Sequence, residues 1–112
     1  VQDVITPGGT VVYKAQPSRW LTATTPEMAS VIDSYMEDVV TKGTGTAARV
    51  QGVRVTGKTG TAENPAGKDH AWFIGSAELP ARKIVFAIIV ENGGGGGTEA
   101  APIARDIIES LM

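Results

Sequence analysis

The sequence has no cysteine, which removes disulfides and thiolate metal sites. It has no excess of positive charge: ten Lys+Arg stand against twelve Asp+Glu, for a net charge of -2. Without a Lys/Arg cluster there is no electrostatic footprint for nucleic acid. Long apolar runs are missing too. The longest uninterrupted one is Ile84 to Val90, far short of the ~20 residues that span a bilayer. Histidine occurs once, at His70, and metal sites need more ligands than that. No internal repeat is present. What remains is ordinary for a folded chain: hydrophobic residues make up 42% and charged residues 20%, which excludes disorder for the whole. A length of 112 residues fits one domain or a piece of one. The chain opens with Val1 rather than Met and has no signal-like start, which points to a truncated, processed or nicked product.

Local patterns predict a mixed α and β chain. Thr10 to Lys14 follows the turn signal Pro7-Gly8-Gly9, so a hairpin fits, with Val1 to Ile5 as its other arm. A helix is expected over about 25–42. Thr24 offers a cap, Glu27 three residues on closes a capping box, and Pro26 suits the first turn. Met28, Ile32, Tyr35, Met36 and Val39 recur at helical spacing, and Gly43 is the expected stop. Thr44-Gly45-Thr46 reads as a loop, and Ala47 to Gln51 as a short helical turn.

Strands are expected over about 53–61, 70–78 and 83–91, joined by short links and so antiparallel. The unbroken apolar character of Ile84 to Val90 predicts burial on both faces and a central place in the sheet. Trp72 and Phe73 point to opposite faces, so at least one belongs to the core. A closing helix is expected over about 99–112, with Thr98 as cap, Pro102 in the first turn, and Ile103, Ile107 and Leu111 on one face. Gly93 to Gly97 reads as a flexible connection. Helices packed on an antiparallel sheet make this an α+β chain.

Gly52 to Thr59 matches the phosphate-binding pattern G-x-x-x-x-G-K-[ST] letter for letter. That chemistry needs a helix opening at the Lys-Thr end, whose N-terminus and loop amides hold the phosphates. Here Val53 to Thr56 are strand-like, and Gly60 to Pro65 do not open a helix. The same residues make better sense as Lys58-Thr59-Gly60-Thr61 on an exposed strand. Alternation sends Lys58 and Gly60 to one face and Thr59 and Thr61 to the other, and edge twist brings both sets to a shared groove. A Lys places positive charge beside that groove, Thr hydroxyls bind a carboxylate, and Gly lets a peptide backbone lie along the edge. The bland alternative is a polar edge strand with Gly at a bulge. Glu63 and Asp69 flank a loop and read as solvated. His70, at the start of the next strand, reads as structural or as groove rim.

Gly57-Lys58-Thr59-Gly60-Thr61-Ala62-Glu63 resembles the third active-site motif of the penicillin-binding protein transpeptidases. His70 to Gly75, Ile84 to Asn92 with the Gly run, and Ala101 to Ala104 resemble the strands and closing helix that follow it. Upstream, Thr25 to Ala29 and Gly43 to Ala48 also fit. The likeness covers nearly all of residues 1–112 and is strongest to class B enzymes of the actinobacterial kind. It implies the C-terminal portion of a penicillin-binding protein/serine β-lactamase-like fold.

The family supplies its nucleophilic Ser and activating Lys from S-x-x-K, and a relay Ser and Asn from S-x-N. Neither motif occurs in this chain: the residues three after Ser18, Ser30, Ser34 and Ser76 are Leu21, Asp33, Glu37 and Leu79. The family places both motifs upstream of K-T-G, so the resemblance implies that they lie on an N-terminal remainder of the same protein. It gives Lys58 and Thr61 catalytic roles: Lys58 through its charge near the nucleophile, Thr61 through a backbone oxyanion donor. Thr59, Gly60 and Thr61 would bind substrate, namely a D-Ala-D-Ala stem peptide or a β-lactam. No cofactor and no metal are implied, and no nucleic acid. The membrane would be reached only through an anchor outside this chain, on the extracytoplasmic face of the bacterial cell membrane. The function implied is peptidoglycan cross-linking by serine acyl transfer, with this chain alone inactive. A β-lactamase or D,D-carboxypeptidase of the same fold, or a non-catalytic binding module, are the alternatives.

Overall fold

The computed structural model describes residues 3–16 and 18–112. It contains a two-stranded hairpin, a three-stranded antiparallel sheet and two main helices. The hairpin pairs β1 (Asp3–Ile5) with β2 (Val11–Lys14) around the Pro7-Gly8-Gly9 turn, apart from the larger sheet. Of its first arm, Val1 and Gln2 lie outside the described residues.

Helix α1 spans Pro26–Thr41. Its cap is Thr25, not Thr24: the Thr25 hydroxyl accepts from the Met28 N–H at 3.3 Å. Pro26, lacking an N–H, then takes the first helical position, which puts Glu27 one place too early to close a box. Glu27 is still in the first turn, where its own backbone N–H and then the Thr25 hydroxyl hold its carboxyl below the usual value. The helix packs on β3, and Thr46–Ala48 forms a 3₁₀ turn after it.

The larger sheet has the order β3 (Arg54–Ala62), β4 (His70–Leu79), β5 (Arg82–Val90). The register pairs Lys58 with Ile74, Thr59 with Phe73 and Gly60 with Trp72. Alternation therefore holds, with Lys58 and Gly60 on one face and Thr59 and Thr61 on the other. The second of these faces carries the core. Phe73, Ala71, Ala77 and Val55 are buried there with Ala101, Ala104 and Ile108 of the closing helix. Phe73 stacks on Phe86 with ring centroids 6.0 Å apart. Gly57 makes room for that ring: a Cβ there would lie 2.3 Å from the Phe73 Cζ.

Four further expectations need correction. The central strand is β4, and β5 is an edge whose side chains alternate between half-buried and exposed. Its apolar run has only one covered face, and Val85 on the other is 81% exposed. The closing helix begins without a Thr98 cap. A single π turn over Gly96–Ala100 runs straight into α2 (Ala101–Ser110), and the Thr98 hydroxyl donates back to the Gly95 carbonyl. Its buried stripe is Ala101, Ala104 and Ile108, because small alanines allow close approach to the sheet, while Ile103, Ile107 and Leu111 are exposed. The glycine run is not a loose connector either, for Gly96 is buried against the sheet. A Cβ on it would sit 2.2 Å from the Trp72 carbonyl and 2.5 Å from that of Gly60.

Candidate active site

β3 is an edge strand, so one side of its backbone is left unpaired by the sheet. Beside its C-terminal half lies a groove of about 680 Å³. Lys58, Thr59, Gly60 and Thr61 all line it, although they alternate between sheet faces. The twist of the edge brings both sets to one opening. The opposite walls come from segments that the sequence reading left without a role: Thr44 and Thr46 in the loop after α1, and Gly95 to Thr98 at the entry to the closing helix.

The chemistry of this lining is one-sided. Lys58 is its single charged side chain among the described residues, and the hydroxyls of Thr44, Thr46, Thr59, Thr61 and Thr98 supply its polar contacts. With no carboxylate in the lining, the groove suits an anion bound by one ammonium and several neutral donors. The Lys58 ammonium is exposed and donates to the Thr59 carbonyl at 2.5 Å, folding back over its own strand. The Thr59 and Thr44 hydroxyls are 2.6 Å apart. Gly60 faces the same side as Trp72, where a Cβ would lie 3.2 Å from the Trp72 Cβ.

The strand is held from both ends. At its start Arg54 forms ion pairs with Asp33 and Glu37 of α1 and with Glu78 of β4, at 2.8, 2.8 and 3.0 Å. The Arg54 hydrogen bond holds the Asp33 carboxyl below its ordinary range, and the same bond raises Arg54 further above its own. Beyond its far end, the 63–69 loop is tied to the glycine run by an Asn64–Asn92 side-chain bond of 2.7 Å and by Gly94 N–H donating to the Asp69 carbonyl at 2.7 Å. His70 takes part in this clasp, its Nδ1 accepting the Asn92 N–H at 3.0 Å. It is outside the groove lining. Glu63 is exposed and Asp69 half-buried, and neither lines the groove. No group of three or more His, Cys, Asp or Glu placed to hold a metal occurs among the described residues. The nucleotide pattern falls on the turn Gly52 and on strand β3, with no helix opening at Lys58-Thr59.

Thr44 and Thr46 were the residues hardest to see in the sequence. Their signal is the spacing Gly43-Thr44-Gly45-Thr46, hydroxyls carried on a glycine-rich turn. A loop reading alone does not say what such a turn faces.

The groove can be set beside known proteins. Residues 5–109 match the family model described as the penicillin binding protein transpeptidase domain. The peptidoglycan D,D-transpeptidase MrdA of Haemophilus influenzae is 37% identical over 95 residues, covering 69% of this chain and 15% of that protein. The D,D-transpeptidase domain of a peptidoglycan glycosyltransferase from Eggerthella lenta superposes with a TM-score of 0.72 at 34% identity, covering 98% of this chain and 26% of that one. Penicillin-binding protein A from M. tuberculosis, solved as an imipenem acyl-enzyme complex, gives a TM-score of 0.69 at 30% identity, covering 99% and 25%. The chain thus spans about a quarter or less of these relatives. An α+β fold, an edge strand bearing Lys58-Thr59-Gly60-Thr61 and a match over nearly the whole chain agree: it belongs to the penicillin-binding protein transpeptidase domain family.

Proposed function

We propose that this chain supplies the substrate-binding edge of a peptidoglycan D,D-transpeptidase that works by serine acyl transfer. The observation that carries the reading is the groove beside the free edge of β3, with one ammonium, five threonine hydroxyls and no carboxylate among its described lining residues. A peptide ending in a carboxylate fits such a place. Its backbone pairs with the strand edge, as in β-strand addition, and its terminus meets the hydroxyls. Thr59 and Thr61 bind that carboxylate, and Gly60 keeps the edge open. Lys58 acts through its positive charge near the nucleophile, and the Thr61 backbone N–H is one of two oxyanion donors. One such donor is typically worth about 3 kcal/mol in the transition state.

The nucleophile is absent from this sequence, which has neither S-x-x-K nor S-x-N. An N-terminal remainder of the protein brings both to the groove. The open face of the sheet supports this, since Ile74 and Val85 are exposed there, as are Ile32 and Tyr35 of α1. No described helix is long and apolar enough to cross a membrane, and the anchor belongs to the remainder, on the extracytoplasmic side. The same groove takes β-lactams, whose carboxylate mimics the stem-peptide terminus. The M. tuberculosis relative was captured as its imipenem acyl-enzyme.

The test is covalent labelling with a fluorescent penicillin, read on a denaturing gel. The complete protein should label and this chain alone should not. A labelled band from the isolated chain, or an unlabelled complete protein, contradicts the reading.

A further inference from the structure

Thr44 lies outside the Lys58–Thr61 motif, yet its Oγ1 is 2.6 Å from the Oγ1 of Thr59. Both residues line the same groove. Two hydroxyls in contact hold one hydrogen between them and leave the second free for a third group. When Thr44 is the donor, one lone pair of the Thr59 oxygen is occupied, and the Thr59 hydrogen turns toward the groove. A hydroxyl that accepts in this way is also polarised into a better donor.

The loop carrying Thr44 is fixed on two sides. The Gly43 and Gly45 N–H groups both donate to the Val39 carbonyl near the end of α1, at 3.2 and 2.9 Å. From the other side Gly97 presses on the loop: a Cβ on Gly97 would lie 2.4 Å from the Thr44 carbonyl oxygen. The hydroxyl pair is therefore held between the end of a helix and the glycine turn, not left to a mobile loop.

We propose that Thr44 is a positioning residue for substrate binding. Its hydroxyl donates to Thr59 and aims the Thr59 hydrogen at the carboxylate of the bound peptide or β-lactam. This rests on the reading of Lys58–Thr61 as the carboxylate-binding edge. It adds a specificity element from outside that strand, and it gives the tight packing of Gly97 on the loop a functional consequence.

The experiment measures the second-order rate of acylation of the full-length protein by a penicillin and by its methyl ester, which lacks the carboxylate charge. The variants are Thr44→Val, Thr44→Ser, Thr59→Val and the Thr44→Val/Thr59→Val pair, each with its thermal midpoint, and Thr44→Ala is the second truncation. Thr44→Val should slow acylation by the penicillin about tenfold, the scale of one lost hydrogen bond. Thr44→Ser should stay within about threefold of the parent, because it keeps the hydroxyl. The double variant should be no slower than Thr59→Val alone, since Thr44 acts through Thr59. The methyl ester should show little of the Thr44→Val loss. Parent-like rates in both Thr44→Val and Thr44→Ala overturn the proposal. So does a double variant whose loss is the product of the two single losses, which would make Thr44 an independent contact. If Thr59→Val is slowed while Thr44→Val is not, Thr44 alone loses its role. If Thr59→Val is itself parent-like, the carboxylate-edge reading falls first.

Discussion

The two faces of the three-stranded sheet are built from the same strands and end in opposite states. On one face Phe73 is completely buried, with Phe86 stacked on it and the backbones of Gly45 and Gly57 close to its ring. On the other its chain neighbour Ile74 is 46% exposed, and Val85 is 81% exposed. Hydropathy does not separate these residues; what covers them does. The covered face fixes the register and so fixes where Thr59 and Thr61 stand. The other, covered only where Asp33 and Met36 of α1 approach the buried Thr56 and Ser76, leaves Lys58 accessible beside apolar side chains, as the proposed docking of another part of the protein requires. The sheet is thereby split into a packed face and an open one, and the proposed site draws on both: Thr59 and Thr61 from the packed side of β3, Lys58 and Gly60 from the open side.

The split can be broken hardest from its covered side. Phe73→Ala removes the largest fully buried side chain and should lower the unfolding free energy of the complete protein by about 3–5 kcal/mol. Denaturant titration reads it. A loss below about 1 kcal/mol would mean the covered face is not the core.

Gly96→Ala is next, and it reaches across the split. Its Cβ meets backbone atoms of Trp72 and Gly60, which cannot swing aside as a side chain does. We expect about 1–3 kcal/mol of destabilisation, the range for overpacking, together with slower acylation because β3 is displaced at Gly60. Unchanged acylation in a destabilised Gly96→Ala protein would separate the glycine turn from the groove.

Arg54→Met should have the smallest effect. Its guanidinium bridges α1 to the sheet but is about one-third exposed (side chain 33%), so screening leaves only about 1 kcal/mol. The pH dependence sharpens the point. The Asp33 carboxyl is held below its ordinary value by Arg54, so its contribution is present above the unfolded carboxylate pKa and is lost as pH falls through the lower folded one. Melting curves below about pH 4 should therefore decline less steeply in Arg54→Met than in the parent. An identical acid limb in both would place the pH sensitivity elsewhere.

Much of this was readable in the sequence, and the misreadings share a cause. Local chemistry identified the three strands, helix α1 and the Lys58–Thr61 edge, because alternation, capping and turn residues act over a few positions. β5 was placed wrongly because an apolar run reports what a strand can bury, not whether anything covers it. The Ile103–Ile107–Leu111 stripe misled for a similar reason: α2 packs through Ala101, Ala104 and Ile108, since close approach rewards small residues at its start. The glycine run, five residues from Gly93 to Gly97, looks flexible in one dimension. Its fit against Trp72, Gly60 and Thr44 exists only once the chain has folded. The Thr44–Thr59 pair is 15 positions apart in sequence, beyond the reach of any local pattern.

The central claim is that the exposed Lys58 of β3 serves chemistry and contributes little to folding. Lys58→Ala in the complete protein tests it most directly, through the second-order rate of acylation by a penicillin measured beside the thermal midpoint. The account predicts a fall in rate of about a hundredfold with a midpoint within about 2 °C of the parent, as expected for an exposed lysine. A folded Lys58→Ala protein that acylates at the parent rate would contradict it, leaving Lys58 to Thr61 as nothing more than a polar sheet edge.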